Sequence, residues 1–129
     1  MRVEGWESRL AQYLETPTPF AWGSNDCALW SARWVKDCTE NDYTGDWVGF
    51  YRTKRGAAIR MGRLGFANVA AIAAAHLTER PVLTAQRGDL ILHPSGALGI
   101  CNGLKSHFLT ESGLLIENTL ECIHAWAVS

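Results

Sequence analysis

The pattern of apolar residues changes in kind after Pro81, and this change constrains the fold more than any other feature. Before Pro81, apolar residues recur at helical spacing. After it, short apolar runs alternate with turn residues, at 89–92, 97–101, 106–109, 114–116 and 123–126. Helices followed by strands predict an α+β fold, with N-terminal helices packed on a C-terminal antiparallel sheet of about five strands in a meander.

Four helices are predicted before the strands. The first runs from about Gly5 to Glu15 and is ended by Pro17 and Pro19, which restrict the backbone and remove donors. The cluster of cap-forming residues 24–26 predicts a second helix from Cys27 to Cys38. Its apolar face has spacings of 3, 4 and 4, and consists of Cys27, Trp30, Trp34 and Cys38. Two further helices are predicted near 53–63 and 67–77.

The length and composition predict one soluble domain that spans 1–129. The chain has 129 residues, without an internal repeat or a linker long enough to divide it, and 47% of them are hydrophobic. The formal net charge of −1 gives no reason to expect nucleic acid as a partner. The most apolar window, 69–75, is far shorter than the ~20 residues that span a bilayer, so no membrane span is expected.

The four cysteines are expected to be reduced thiols. They show no Cys-x-x-Cys pair and no zinc-like spacing, and they stand at positions 27, 38, 101 and 122. The N-terminus lacks the apolar stretch of a secretory signal, so the expected site of synthesis is a cytoplasm, where thiols stay reduced. Neither the cysteines nor the histidines are spaced as ligands, so no metal or organic cofactor is expected.

Cys27 is the residue with the clearest chemical potential. It follows the cap candidate Asp26, so the partial positive charge of the helix N-terminus would favour its thiolate. A cysteine at such a position, with a sheet to supply a histidine, is suited to nucleophilic catalysis. The alternative is that Cys27 is a small buried hydrophobe, as most cysteines are.

Three segments in order resemble the NlpC-type cell-wall peptidases, which have a papain-like fold. They are FAWGSNDCALW at 20–30, RGDLIL at 87–92 and ALGICNG at 97–103. In that family a Gly…Asp-Cys element starts the nucleophile helix, a Gly-Asp-Leu-Val-like strand follows, and a His-Val-Gly-Ile-Tyr-like strand carries the general base. The resemblance covers the chain from about residue 5 and is closest to a poorly characterised branch from phage and prophage tail gene clusters.

The resemblance implies a role for each matching residue. Cys27 matches the nucleophile and Asp26 the acid before it, while Gly88 and Asp89 match the strand that opens the sheet. Ala97 occupies the position of the catalytic histidine, which departs from the family pattern. Such a base is typically worth 10²–10⁴-fold in rate.

The four histidines of the chain differ in their relation to this site. His93, beside the predicted turn 93–96, is a candidate for a relocated base, and its alternative is a turn residue that faces solvent. His107 is a weaker candidate for the residue that orients the base. His76 and His124 have no motif support and are expected to be structural.

Two functions follow from the resemblance. The first is a structural or assembly protein of a phage tail tip or hub, with a degenerate cysteine-hydrolase site; its partners would be tail proteins and its location the virion, after synthesis in the host bacterial cytoplasm. The second is an active cysteine peptidase or amidase that degrades peptidoglycan while phage DNA enters the cell. The aromatic segment 47–51 and the basic segment after it are predicted to dock a protein partner, and the alternative is a loop packed over the core.

Overall fold

The computed structural model describes residues 1–16 and 18–129 and has an α+β architecture, with helices first and an antiparallel sheet after them. This order confirms the predicted fold class. The helices are α1 (Trp6–Glu15), α2 (Cys27–Thr39), α3 (Lys54–Arg63) and α4 (Val69–His76). The strands are β1 (Thr78–Arg80), β2 (Leu90–Leu92), β3 (Leu98–Cys101), β4 (Lys105–Thr110), β5 (Gly113–Asn118) and β6 (His124–Ala127).

Side-chain caps fix the starts of three helices. The side chains of Asp26, Thr53 and Asn68 each accept a hydrogen bond from the backbone N–H three residues further on. The α1 helix begins after Gly5, which has a left-handed backbone and no side chain to form a cap. Pro17, one of the two prolines predicted to end α1, lies outside the described residues.

The sheet has six strands in the order β1-β6-β2-β3-β4-β5, and every neighbouring pair is antiparallel. The predicted count of about five therefore misses one strand, β1, which lies before Pro81 and pairs only with β6. The predicted simple meander is wrong at this point, since β6 is inserted between β1 and β2. The β1 strand has only three residues, and their partners in β6 are 45 or more positions away, so the local sequence does not indicate a strand.

One face of the sheet carries the main core. Leucine and isoleucine side chains from β2 and β3 pack against Trp30 and Trp34 of α2, and both indoles are almost completely buried. The indole N–H of Trp34 donates to the carbonyl oxygen of Gly88 at 2.8 Å, so this large side chain also satisfies its polar atom. The predicted apolar face of α2 is thus the face that meets the sheet.

The opposite face of the sheet has a smaller apolar cluster, which contains Ile91, Phe108, Cys122 and Ala125. All four cysteines of the chain are free thiols. In the described part of the chain, no helix combines the length and the apolar character needed to cross a bilayer.

A buried carboxylate joins the two ends of the chain. Asp89 is 1% exposed and forms an ion pair with Arg2 at 2.9 Å and a longer one with Arg80 at 3.5 Å. It also accepts hydrogen bonds from the backbone N–H groups of Gln86 and Val128. Arg2 in turn donates from Nε to the carbonyl oxygen of Val128 at 2.8 Å. Residues far apart in the sequence therefore meet around one charge.

Candidate functional site

Asp26 organises the N-terminus of α2. Its Oδ1 accepts the backbone N–H of Leu29 at 3.0 Å, which is the helix cap, and its Oδ2 accepts the backbone N–H of Gly23 at 3.1 Å. The hydroxyl of Tyr51 also donates to Oδ2. Asp26 is 2% exposed, so these three donors replace the water that the carboxylate would otherwise bind.

The approach of Tyr51 to Asp26 requires a glycine at position 23. Gly23 has a φ of +78°, and a Cβ added there would lie 1.7 Å from the backbone oxygen of Tyr51. Its carbonyl oxygen accepts the N–H of Gly49 at 2.9 Å, which joins the two loops at a second point. A side chain at position 23 would push the loop of Tyr51 away from the carboxylate.

Cys27 lies at the first position of α2 and is partly buried. Burial raises the pKa of its thiol, and the neighbouring Asp26 charge raises it further. Backbone hydrogen bonds from Leu98, Ala28 and Cys27 itself favour the thiolate but do not offset the burial. The expected stabilisation of the thiolate by the helix N-terminus is therefore outweighed, and Cys27 is a protonated thiol at neutral pH.

The thiol opens into a cavity of about 390 Å³ between α2, the loops and the first strands of the sheet. Most of its lining is apolar, and α3 and α4 form one wall with Ala57, Met61 and Ile72. The polar side chains in the lining are few: Asp26, Tyr43, Tyr51, Lys54, His76, Ser95, Thr110 and Glu111. An apolar cavity with a few polar groups is typical of a binding site.

Ala97 also lines this cavity, directly before Leu98 of β3. The structure thus brings Cys27, Asp26 and Ala97 together in one site. The Ala97 side chain packs against the smaller apolar cluster on the other face of the sheet.

His93 lies at the turn between β2 and β3 but does not line the cavity. Its ring packs edge-on against Phe108 at 5.5 Å between centroids, on the sheet face with the smaller cluster. Its Nδ1 is 2.8 Å from the hydroxyl of Ser95 and also accepts the Ser95 N–H. These contacts hold the ring in the turn.

His107 lies on β4, opposite Ile100 of β3, and does not line the cavity. Its Nδ1 is buried and has no hydrogen-bond partner among the described residues. Burial lowers the pKa of this imidazole, so it is neutral near pH 7. His124 pairs with Glu79 at 2.8 Å and stacks on Trp126, away from Cys27.

Two polar residues of the cavity were missed by the sequence reasoning. His76 lines the cavity and stacks on Tyr43, with ring centroids 4.4 Å apart. The sequence pattern that could have indicated this is the helical spacing 69, 72, 73 and 76, which places His76 on the apolar face of α4. Tyr51 had no comparable signal, because its role depends on the close approach at Gly23.

The aromatic segment 47–51 divides into two sets of side chains. Trp47 is buried against Phe66, and Tyr51 turns inward to Asp26. Phe50 remains 56% exposed, and the Arg60 guanidinium lies 3.8 Å from its ring centroid. Part of the segment is therefore a loop packed over the core, and part of it, at Phe50, is an exposed aromatic surface beside basic residues.

A comparison with protein families assigns the chain to one of them. A family model described as "Domain of unknown function (DUF6950)" matches residues 1–128. Neither the curated proteins nor the solved structures give a match. Since the family model spans nearly the whole described fold and includes the Cys27 site, the chain belongs to the DUF6950 family.

Proposed function

We propose that this chain is a structural or assembly protein of a phage tail tip or hub, with an NlpC-type, papain-like fold and a degenerate cysteine-hydrolase site. The observation that carries the proposal is that Cys27 and Ala97, the residues at the nucleophile and base positions of the motif, line one cavity. Cys27 occupies the nucleophile position of the NlpC-type motif, and an alanine occupies the position of its base.

The chemistry of this thiol supports a loss of hydrolysis. Attack on a carbonyl requires the thiolate, and here burial and Asp26 both raise the thiol pKa. The imidazole of His93, the candidate for a relocated base, and that of His107, the candidate to orient the base, both lie outside the cavity lining. Without a base to take the proton and return it to the leaving group, the acyl transfer would lack the 10²–10⁴-fold help that such a group gives.

The position of the motif glycines supports the NlpC-type comparison. Gly99 lies in the middle of the Leu-Gly-Ile motif, and a Cβ there would lie 2.3 Å from the backbone oxygen of His107 and 2.4 Å from the Phe108 ring. The close packing of β3 on β4 therefore needs this glycine. Gly23 is equally constrained, so the glycines of both motifs have structural reasons that a related fold would share.

Alkylation of Cys27 tests the proposal. Labelling with iodoacetamide near neutral pH is expected to be slower than for free cysteine, and to rise with pH beyond the range where free cysteine levels off, because the thiol pKa is raised. Purified protein is expected to release no peptides from peptidoglycan. Peptide release that disappears in Cys27→Ala, with the fold kept by circular dichroism, would overturn the proposal.

The alternative function is an active cysteine peptidase or amidase that degrades peptidoglycan. Its specific support is His76, an imidazole in the same cavity as Cys27. In that case His76→Ala would slow both alkylation of Cys27 and peptide release, whereas His93→Ala, outside the cavity, would leave both unchanged. Fast alkylation that depends on His93 instead would point to the relocated base.

A further inference from the structure

The α3 helix has ten residues, and none of its side chains is buried. Isolated helices of this length are marginal in water, and most helical stability in proteins comes from packing. The apolar side of α3, with Ala57, Ala58 and Met61, faces the cavity instead of a closed core. An occupant of the cavity would therefore bury apolar surface of α3 that is now open.

The charged residues of α3 are all basic. From Trp47 to Thr78 the chain has five basic residues and no acidic one. Arg52, Lys54, Arg55 and Arg63 are exposed, and within the described residues none of them forms an ion pair with a carboxylate. Arg60 is held by the carbonyl oxygen of Asp46 and by the Phe50 ring. Lys54 also lines the cavity, so the basic surface and the apolar cavity are continuous.

We propose that the cavity and α3 together dock a segment of a partner protein that combines apolar side chains with flanking acidic residues. The apolar side chains enter the cavity above Cys27, and the carboxylates lie against exposed basic residues of α3, beginning with Lys54 at the cavity. This inference rests on the proposed function, since it gives the assembly protein a class of partner segment.

The spread of charge favours a protein segment over a small anionic amphiphile. The α3 helix is about 15 Å long, and its basic residues extend from its first turn to its last. A single carboxylate head group cannot meet cations at both ends, whereas several acidic residues of one segment can. The mainly apolar lining is equally unsuited to a nucleic acid backbone.

The acidic groups of the cavity orient the segment. Asp26 already accepts three hydrogen bonds and has no free role toward an occupant. Glu111 lines the cavity from the turn between β4 and β5, on the sheet side. The acidic residues of the segment must therefore lie on the side of α3, away from Glu111.

Binding of synthetic peptides to the full chain tests the proposal. The probe is a fluorescein-labelled peptide with leucines at helical spacing and glutamates between them, and its anisotropy is measured as the protein is added. A second peptide replaces the glutamates with glutamines, and a third replaces the leucines with serines. The first peptide is expected to bind most tightly, to weaken as salt is added, and to protect Cys27 from alkylation.

Paired variants locate the binding surface. Lys54→Glu with Arg55→Glu is expected to weaken binding roughly tenfold, as expected for the loss of two ion pairs at a rim. The matched control is Arg87→Glu with Lys105→Glu, which changes the charge equally on exposed residues outside the cavity. Ala58→Phe fills the cavity and is expected to abolish protection of Cys27, whereas Ala74→Phe, exposed on α4 and outside the lining, leaves it intact.

Three results would overturn the docking proposal: equal binding of the glutamate and glutamine peptides, equal effects of the two charge variants, or binding of palmitate or phosphatidylglycerol vesicles without binding of any peptide. A separate assay for peptide release from peptidoglycan keeps the two proposals apart. Release of peptides would contradict the assembly function, whereas absent peptide binding without such release would contradict only the docking surface.

Discussion

Asp26 and Asp89 are both buried aspartates at motif positions, but their surroundings differ. Asp89 forms ion pairs with two guanidinium groups, accepts hydrogen bonds from two backbone N–H groups, and joins the ends of the chain. Asp26 has no cation within ion-pair distance among the described residues, and is held by two backbone N–H groups and the Tyr51 hydroxyl. Asp89 therefore contributes to the stability of the whole fold, while Asp26 places a charge without a cationic partner beside Cys27.

The two aspartates therefore affect different properties: Asp89 affects the stability of the fold, and Asp26 affects the reactivity of the Cys27 thiol. A charge that is balanced by cations has little influence beyond its partners, whereas an unbalanced buried charge acts on every titratable neighbour. Both Cys27 and Tyr51 show this influence, since Asp26 raises the pKa of each of them. Substitutions at the two aspartates are expected to have different consequences.

Asp89→Asn is expected to have the largest effect on stability. It leaves Arg2 and Arg80 without their carboxylate, and because both guanidinium groups keep some contact with solvent, the expected cost is about 3 kcal/mol, the lower end of the range for loss of one partner of a buried ion pair. Urea unfolding measures this loss. The control Asp42→Asn breaks the exposed pair with Lys36 and is expected to change stability little. Equal losses in the two variants would remove the proposed role of Asp89.

Asp26→Asn is expected to cost less stability, about 1–3 kcal/mol, because the amide oxygen can still cap α2 but cannot accept all three donors. Its specific effect is on the thiol. Removal of the charge lowers the Cys27 pKa, so alkylation near neutral pH becomes faster although the protein is less stable. Asp37→Asn, exposed on the same helix, is the control and should leave the alkylation rate unchanged. Slower alkylation in Asp26→Asn would contradict this account.

Tyr51→Phe is expected to have the smallest effect, about 1 kcal/mol, because it removes one of three hydrogen bonds to Asp26 and keeps the ring. Thermal unfolding in parallel with Tyr43→Phe provides the comparison, since the ring of Tyr43 stacks on His76 in the same cavity. A larger loss in Tyr51→Phe than in Asp26→Asn would contradict this account, because the Tyr51 hydroxyl provides only one of the three hydrogen bonds to Asp26.

The parts of the fold that could be predicted from the sequence have local causes. The start of α2 follows from the cap Asp26, and its buried face follows from the spacing of Trp30 and Trp34. The features of the fold that could not be predicted depend on contacts between distant residues, and the pairing of β1 with β6 is an example.

The candidate site shows the same division. The position of Cys27 at a helix start is local and was predictable, but its thiol pKa is set by burial, which the assembled loops and sheet create. The approach of Tyr51 through Gly23 is likewise visible only in three dimensions.

The insertion of β6 between β1 and β2 has a consequence for biosynthesis. Ribosomes deliver the chain from the N-terminus, and β1 and β2 emerge long before residues 124–127. During that interval neither strand has its β6 partner, and Asp89 lacks the backbone N–H of Val128. The sheet can therefore close only late in translation or after it, and the nascent chain exposes an open strand edge on which a chaperone could act.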